Sequence, residues 1–411
     1  MFSFMFVAVL NNWAICLYSL ITWVIYLLLN WSMSGEYSLK LIMIFLSLWI
    51  VAMMMLSVEN AMKNLDLYMV MMLMFLSLFI SFFSESMLGF YLGFEVSIIP
   101  ILLILFGWGY QPDRLEAGLY LIMYTILFSL PLLMGIYIWE SKMATRSFFM
   151  YLIMVMAFLA KFPMFIFHLW LPRAHVEAPV YGSMILAGVM LKLGGFGIYK
   201  ISLMMGDIVT YYSNFLIMFS MLGGVYLSVV CFMQTDMKML IAYSSIVHMS
   251  IVISGMLTMR ESGLWGGVYM MVGHGLCSSG LFYILGATYS KTLTRSIYLN
   301  KGLINILPTA SLWWFLFCSS NLSFPPSLNL GGEILLFSSI LSWSGGWVSF
   351  LIILLSVSSS LYSIYLYSYS QHGQSLSFYS LKFLSLNEFM VMLLHWIPLN
   401  LIMLDLSLMS F

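Results

Sequence analysis

The chain has 411 residues, of which 63% are hydrophobic and 7% charged, and its mean hydropathy is +1.03. Soluble domains carry about 25% charged residues, so the composition excludes a soluble globular protein and indicates a polytopic membrane protein. Fifteen Lys and Arg residues balance fifteen Asp and Glu residues. No charge excess therefore points to nucleic acid or to an acidic substrate.

The apolar runs predict thirteen membrane-spanning segments, because a bilayer core needs about 20 apolar residues per helix. They cover residues 13–31, 41–58, 67–83, 87–107, 117–139, 147–171, 179–204, 208–233, 239–258, 262–288, 303–345 with an internal break, 347–369 and 389–406. Alternating the loops places eight Lys and Arg residues on one side and five on the other. This bias favours the first side as the compartment of synthesis.

Two lysines lie inside apolar runs that are long enough to cross the bilayer. Lys161 and Lys192 stand in the stretch AKFPMFIFHLWLPRAHVEAPVYGSMILAGVMLKLGGFGIYK, which covers residues 160–200. A lysine at the centre of a spanning helix costs at least about 2.5 to 3.5 kcal/mol, so both are candidate functional residues. Pro163 follows Lys161 and predicts a helix break beside the charge. Gly188 and Gly195 share a helical face with Lys192 and allow close approach to its ammonium group.

Two glutamates accompany the lysines at membrane depth. Glu95 is flanked by apolar residues on both sides, and an ion pair with Lys161 would offset part of the desolvation cost of each group. The stretch SFPPSLNLGGE predicts a second broken helix, because Pro325 and Pro326 cannot continue a helix, and Glu333 follows this break. Paired helix breaks in two halves of a chain are typical of inverted-repeat transporters.

Three histidines are candidates for a proton relay. His248 and His274 lie in separate spans, each with serines one turn away, and imidazole can accept and release a proton near neutral pH. His168 lies seven residues after Lys161, about 10.5 Å along a continuous helix. By contrast, we place His175, Arg173 and Glu177 in a solvated loop.

Active-site signatures of other enzyme classes are absent from the sequence. There is no nucleotide-binding glycine motif and no nucleophile–histidine–carboxylate arrangement. The cysteines, which are not spaced as disulfide, zinc or iron–sulfur ligands, are Cys16, Cys231, Cys277 and Cys318. We therefore expect no metal or cofactor on this chain.

Several motifs resemble the subunit 4 family of mitochondrial NADH:ubiquinone oxidoreductase (complex I), an antiporter-like subunit family. They are FEVSIIP, GWGYQPDRLEAGLYL, HLWLPRAHVEAPVYGSMILAGVMLKLGGFGIYK, QTDMKMLIAYSSIVHMS, HGLCSSGLFYI and FPPSLNLGGE. The resemblance runs from about residue 85 to residue 369. The chain is shorter than usual members before Glu95, which implies a missing or truncated first helix.

The resemblance implies an all-α antiporter-like fold with two inverted five-helix repeats, each containing a broken helix. It implies N-terminal helices over 1–66, a first repeat over 67–205, a second repeat over 206–370, and a loop with the last helix over 371–411. It also implies roles in proton translocation. The residues concerned are Glu95 and Lys161 as a charge pair, Lys192 as the central lysine, His248 and His274 on a hydrated axis, and Glu333 as the terminal carboxylate.

Family membership further implies a membrane-arm subunit of the mitochondrial inner membrane that translocates protons, coupled to electron transfer from NADH to ubiquinone. NAD, FMN, iron–sulfur clusters and ubiquinone would be held by other subunits. The implied partners are antiporter-like subunits 2 and 5, accessory subunits and lipids such as cardiolipin.

Two alternatives stay open on the sequence. A subunit of a multisubunit cation/proton antiporter would share the buried residues and would transport sodium without NADH. A non-pumping membrane scaffold would use the ion pairs only to fix helix packing, and buried pairs need not stabilise a fold.

Overall fold

The structure is a computed structural model, and it describes residues 22, 26, 38–59, 62–109, 111–141, 147–374, 384–404 and 406. Over these ranges the chain folds into helices joined by short turns. They are α1 (Ser38–Ser57), α2 (Leu65–Phe83), α3 (Met87–Val96), α4 (Ile98–Trp108), α5 (Arg114–Glu140), α6 (Phe148–Lys161), α7 (Trp170–Glu177), α8 (Val180–Ile185), α9 (Leu191–Met204), α10 (Gly206–Phe232), α11 (Met237–Leu257), α12 (Glu261–Thr292), α13 (Leu303–Ile306), α14 (Pro308–Asn321), α15 (Leu328–Ser344), α16 (Ser349–Gln371) and α17 (Leu386–Leu404). A π-helical segment, Leu186–Met190, joins α8 to α9.

Ten helical stretches within the described ranges are long and apolar enough to cross a membrane. This confirms the prediction of an all-α polytopic membrane protein. Twelve of the thirteen predicted spans correspond to helices or interrupted helices of the structure. The remaining span, residues 13–31, lies almost entirely outside the described residues and stays a prediction.

Helices α11 and α12 form the centre of the molecule. In their most apolar 18-residue windows, 94% of α11 and 100% of α12 is buried, whereas α16 is 33% buried and α17 is 22% buried. The central pair therefore faces protein on all sides, and the outer helices expose apolar side chains such as Phe350 and Leu401. A titratable side chain on α11 or α12 is consequently enclosed by other helices and kept away from lipid.

Two interrupted helices share one hydrogen-bonding pattern. After α6, the amide of Met164 donates to the carbonyl of Leu159 at 3.1 Å, and after α14 the amide of Phe324 donates to that of Ser319 at 3.0 Å. In each case the bond spans five residues and closes a wide final turn. The pattern confirms both predicted breaks, at Pro163 and at the Pro325–Pro326 pair.

The carbonyl next to each helix end also receives a side-chain donor from the helix that follows. The indole nitrogen of Trp170 donates to the Ala160 carbonyl at 2.9 Å, and the amide nitrogen of Asn329 donates to the Ser320 carbonyl at 2.9 Å. A carbonyl freed by a helix break needs such a partner when it is buried. The correspondence supports two related halves, although the repeat boundaries after residues 205 and 370 stay predictions.

Close packing between α12 and α15 places the second break against the central helix. A Cβ on Gly332 would lie 2.8 Å from the amide nitrogen of Met270, and a Cβ on Gly266 would lie 2.9 Å from that of Leu336. Glycine at both positions lets the two backbones meet directly. Glu333, the residue after Gly332, is thereby held beside the central helices.

Candidate functional site: a buried series of titratable side chains

The first candidate group lies where the helix that carries Glu95 is distorted. One residue, Ser97, separates α3 from α4. Pro100 explains the distortion, because it cannot donate to the carbonyl four residues earlier and its ring clashes with that carbonyl. Glu95 is half-buried one residue before α3 ends, and its Oε1 atom has no hydrogen-bond partner. Ser129 of α5 is the neighbour whose hydroxyl interacts with the carboxylate.

Lys161 lies at the last position of α6, is 3% exposed, and reaches across to this distortion. Its Nζ donates to the Phe94 carbonyl at 2.8 Å and to Ser97 Oγ at 3.1 Å, and it lies 3.6 Å from the centroid of the Phe94 ring. The helix C-terminus also favours a cation at this position. Lys161 and Glu95 do not form a direct salt bridge, but they interact electrostatically. The two side chains of the predicted charge pair therefore interact through their electric fields and make no direct contact between nitrogen and oxygen.

Lys192 begins the second group and is fully buried. It stands two residues after the end of the π-helical segment, and its Nζ donates to the Ala187 carbonyl within that segment. The same atom lies 3.1 Å from Nδ1 of His274 on α12. A π-segment is a common feature of functional sites, because its wider turn repositions side chains and frees carbonyl groups. The ammonium group thus has partners on its own helix and on the central helix.

His274, His248 and Glu333 continue this group. The rings of His274 and His248 are 5.6 Å apart between centroids, and Nδ1 of His248 lies 3.4 Å from Oε1 of Glu333. Both histidines are at most 1% exposed, and the Glu333 side chain is 12% exposed. The structure therefore brings together Lys192, His274, His248 and Glu333 from four separate helical segments.

Between the two groups, the structure shows apolar packing. The side chain of Phe162 packs against α9 at Gly194 and Gly195, two and three residues after Lys192. Among the described residues, no hydrogen bond joins the Lys161 group to the Lys192 group. The titratable residues thus form two clusters, and a proton that passed between them would need intervening water.

His168 is not placed as the helical spacing predicted. Because α6 ends at Lys161, the two residues do not share a helix face, and the assumption of a continuous helix between them was wrong. His168 stacks on Phe165 with centroids 5.9 Å apart and contacts the Tyr243 ring edge-on at 6.1 Å. It is 6% exposed, and its Nδ1 has no partner. Its role as a relay residue stays a prediction.

The serines beside the histidines use their hydrogen atoms within their own helices. Ser244 and Ser245 donate to the carbonyls of Ile241 and Ala242, and Ser278 donates to the His274 carbonyl. Each hydroxyl still has lone pairs, so it can accept a hydrogen bond from water. The serines therefore do not bridge the histidines directly.

A polar cluster that the sequence analysis placed in a solvated loop is partly buried. His175 is 0% exposed, stacks on Phe282 with centroids 4.5 Å apart, and has no partner on either ring nitrogen. Glu177 is 6% exposed, whereas Arg173 is exposed and bonds to Glu116. The loop assignment of His175 and Glu177 was wrong, because residues 170–177 form α7 and pack against α11 and α5.

Lys238 closes this cluster at the start of α11. It is 6% exposed, and its Nζ donates to the Val176 carbonyl at 3.3 Å and to the Ala178 carbonyl at 3.0 Å. Burial raises the pKa of Glu177, and the nearby Arg295 and Lys238 lower it. A cavity of about 420 Å³ lies beside the cluster and is lined by Arg295 and Asp113, among others. Glu177 and Val176 also line this cavity, whereas His175 does not.

The arrangement can hold and move protons. Its members are amines, imidazoles and carboxylates enclosed by helices, and each can exist in two protonation states. In the described part of the chain, no three His, Cys, Asp or Glu side chains converge as metal ligands. The side chains that converge here can carry out acid–base and electrostatic chemistry.

Comparison with known proteins identifies the family of the chain. Residues 84–361 match the family model described as NADH:quinone oxidoreductase/Mrp antiporter, TM. NADH-ubiquinone oxidoreductase chain 4 of Ceratitis capitata is 48% identical over 88% of this chain and 84% of that protein. Its counterpart in Aedes aegypti is 50% identical over 76% of this chain and 72% of that protein.

Solved structures share the fold at low sequence identity. A chain of respiratory complex I from Thermus thermophilus with bound NADH superposes with a TM-score of 0.79 at 23% identity, over 89% of this chain and 80% of that one. A chain of the Mrp complex from a Dietzia species gives a TM-score of 0.78 at 20% identity, over 89% of this chain and 42% of that one. From the family model and the sequence relatives together, we conclude that the chain belongs to the NADH-ubiquinone oxidoreductase chain 4 family of antiporter-like membrane subunits.

Proposed function

We propose that this chain is a proton-translocating subunit of the membrane arm of complex I in the mitochondrial inner membrane, and that it is driven by electron transfer from NADH to ubiquinone. The observation that carries the proposal is the contact series Lys192–His274–His248–Glu333 at the centre of the molecule. A lysine that is fully buried in a membrane protein is costly and marks an ion or proton pathway by default. Its partners are groups that exchange protons.

Coupling between the two clusters is electrostatic in this proposal. Lys161 and Glu95 lie close enough to affect each other without forming a salt bridge. Neutralising one group changes the proton affinity of the other, because an opposite charge favours the ionised form. A change of charge at Glu95 therefore changes the proton affinity of Lys161. Water that entered beside Phe162 would carry the change in proton affinity on to Lys192. Each proton moved against 100 mV of membrane potential requires about 2.3 kcal/mol, so the redox reaction must supply the work.

Partners and cofactors follow from this role. In this role, NAD, FMN, iron–sulfur clusters and ubiquinone would be held by other subunits, and the names of the relatives as chains of an NADH-ubiquinone oxidoreductase support that division. The exposed apolar faces of α5 and α16 would contact lipid, antiporter-like subunits 2 and 5, and accessory subunits. Cardiolipin would suit the cavity of about 300 Å³ that is lined by Lys40, Lys200 and Glu85, because its two ammonium groups outnumber its one carboxylate and basic pockets between helices bind anionic headgroups.

Glu95→Gln tests the proposal most directly. The amide keeps the shape of the side chain but cannot take up a proton or repel an anion. We expect coupled NADH oxidation and proton translocation in the assembled complex to fall by about 100-fold, the scale of a lost acid–base group. The measurement is the number of protons moved per NADH in vesicles. Glu116→Gln, which removes an exposed carboxylate on the neighbouring helix, is the matched control.

Normal proton stoichiometry in Glu95→Gln would contradict the proposed role of this carboxylate. A pure scaffold makes a different prediction, since it needs only the shape of the two side chains. In that case the double variant Glu95→Gln with Lys161→Met would retain full coupled activity.

Glu333→Gln is expected to weaken translocation without abolishing it. Glu333 is the most exposed member of its cluster, and water can partly replace its carboxylate as the final acceptor. Loss of one charged contact of about 1 kcal/mol corresponds to about a fivefold lower rate. The initial rate of proton release from vesicles measures the effect. A rate equal to that of the unmodified complex would remove Glu333 from the pathway.

A cation/proton antiporter role is the second candidate, favoured by the structural similarity to the Mrp complex chain. This role predicts sodium/proton exchange in vesicles without NADH. The proposed complex I function predicts that proton translocation needs NADH and is unchanged when sodium is replaced by choline. Comparing these two conditions decides between the candidates.

A further inference from the structure

Tyr362 on α16 contacts the second cluster, although no sequence pattern singled it out. Its side chain is fully buried, and its hydroxyl oxygen lies 3.2 Å from Nε2 of His248. The two rings meet edge-on, with centroids 6.4 Å apart and an interplanar angle of 81°. This contact brings a fifth helical segment to the group formed by Lys192, His274, His248 and Glu333.

The two ring nitrogens of His248 therefore have different neighbours. Nε2 bonds to Tyr362, whereas Nδ1 faces Glu333 Oε1 at 3.4 Å without making a hydrogen bond. A neutral imidazole carries one proton, and the bond made by one nitrogen decides whether the other holds it. A tyrosine hydroxyl can both donate and accept. Tyr362 can therefore match either tautomer of His248.

We propose that Tyr362 is a positioning residue that lets His248 change tautomer in step with the protonation of Glu333. While Glu333 is ionised, Tyr362 donates to Nε2, and the imidazole proton stays on Nδ1, where it faces the carboxylate. When Glu333 is protonated, its O–H faces the Nδ1 lone pair, and Nε2–H donates to the Tyr362 oxygen. The inference rests on the proposed proton pathway and adds to it a residue outside the titrating series.

Every proton in this exchange can be followed from one atom to the next. The Tyr362 O–H first rotates away from the Nε2 lone pair, and a proton that arrives from the His274 side through water then binds Nε2 and forms an imidazolium. The Nδ1–H bond then breaks, and that proton binds Glu333 Oε1, so one proton has been gained by the pair. Tyr362 keeps its own proton throughout and only rotates its hydroxyl from donor to acceptor. Without the hydroxyl, the buried Nε2 would lose its protein partner in both states, which is costly in a protein interior.

Other titratable groups lie near His274 and Tyr362 and act on them electrostatically. Lys192 on α9 and His175 on α7 act on His274, and Cys231 on α10 and Cys277 on α12 act on Tyr362. None of these groups bonds to Nε2 of His248 among the described contacts. Tyr362 is therefore the group whose removal isolates that nitrogen.

Tyr362→Phe tests the inference, because it removes the hydroxyl and retains the ring that packs on His248. We expect coupled proton translocation in the assembled complex to fall by about fivefold, the change in an equilibrium that one ordinary hydrogen bond produces. Tyr365→Phe, on the same helix, is the matched control, since its ring packs on Phe232 and Tyr369 away from the cluster. We expect that control to translocate protons at the normal rate.

A double-mutant cycle separates positioning from packing. In a His248→Asn background no atom occupies the Nε2 position, so Tyr362→Phe should cause no additional loss. The inference is overturned if Tyr362→Phe alone leaves the rate unchanged, or if the fivefold loss persists in the His248→Asn background. If His248→Asn itself translocates protons normally, the inference also falls, but the proposed function is still tested independently at Glu95.

Discussion

Replacing Lys161 by Met is expected to abolish coupled proton translocation in a complex that still assembles. The ammonium group is the only part of this side chain that makes polar contacts, and those contacts are with the Phe94 carbonyl and Ser97. Met has a similar length and no charge, so the variant removes the desolvation cost together with the function. Removing one partner of a buried ion pair costs about 3 to 5 kcal/mol when the other charge is left uncompensated. Glu95 is only half-buried and makes no direct salt bridge with Lys161, so we expect the complex to assemble.

The size of the functional loss follows from the position of Lys161. It is the cationic partner of Glu95, and it ends the helix that packs against α9. Without its charge, Glu95 no longer has a nearby cation whose state it can alter, and the electrostatic link to the second cluster is lost. We expect the rate of coupled turnover to fall by about 100-fold or more.

The measurement is NADH-driven acidification of vesicles, normalised to the amount of assembled complex on a native gel. Lys301→Met is the control, because that lysine lies over the ring of Tyr298, outside both clusters. A Lys161→Met complex that translocates protons at the control rate would show that this ammonium group is structural. Failure to assemble would instead indicate that the contacts with Phe94 and Ser97 hold α6 in place. Lys161→Arg keeps the charge and the donors, so an assembled Lys161→Arg complex would allow translocation to be measured.

Lys192→Met is the second change with a very large expected effect. Lys192 is fully buried and contacts His274, so it is the donor through which the second cluster receives a proton in the proposed pathway. Methionine would leave Nδ1 of His274 without its cationic neighbour and would interrupt the series between the two halves. We expect about a 100-fold loss of proton translocation, with normal assembly.

Lys200→Met provides a control on the same helix. Lys200 donates to the Ser84 carbonyl at 2.7 Å and lies over the rings of Phe90 and Phe196, away from His274. The comparison asks whether any lysine of α9 is needed or only the one beside the π-segment. Equal losses in the two variants would point to a general requirement for the helix and would contradict a specific role for Lys192.

Composition and helix-breaking residues predict much of this fold. The membrane class follows from the low charge content, and the two breaks follow from Pro163 and the Pro325–Pro326 pair. The burial of Lys192 was also indicated by its position, since fourteen uncharged residues (178–191) precede it and seven (193–199) separate it from Lys200. These features depend on local sequence and on the apolar bilayer core, which places the same requirements on every spanning segment.

Contacts between distant segments could not be derived in this way. Tyr362 meets His248 across 114 positions of sequence, and the burial of His175 depends on Phe282 of another helix. A buried tyrosine on an apolar helix is not distinguishable by pattern from the other tyrosines of this chain. The direct partner of Lys161, the Phe94 carbonyl, could not be predicted either. A backbone carbonyl that is exposed by a proline distortion is not marked by any particular side chain in the sequence.

The π-helical segment Leu186–Met190 has a further consequence for the register of the chain. An α-helix turns by about 100° per residue, and a wide turn accommodates one extra residue within the same rise. Everything that follows the segment is therefore rotated relative to a regular helix, which brings Lys192 to the side of His274. A deletion of one residue within the segment would restore regular winding and turn the ammonium group away from the imidazole, while the number and identity of the titratable residues stayed the same.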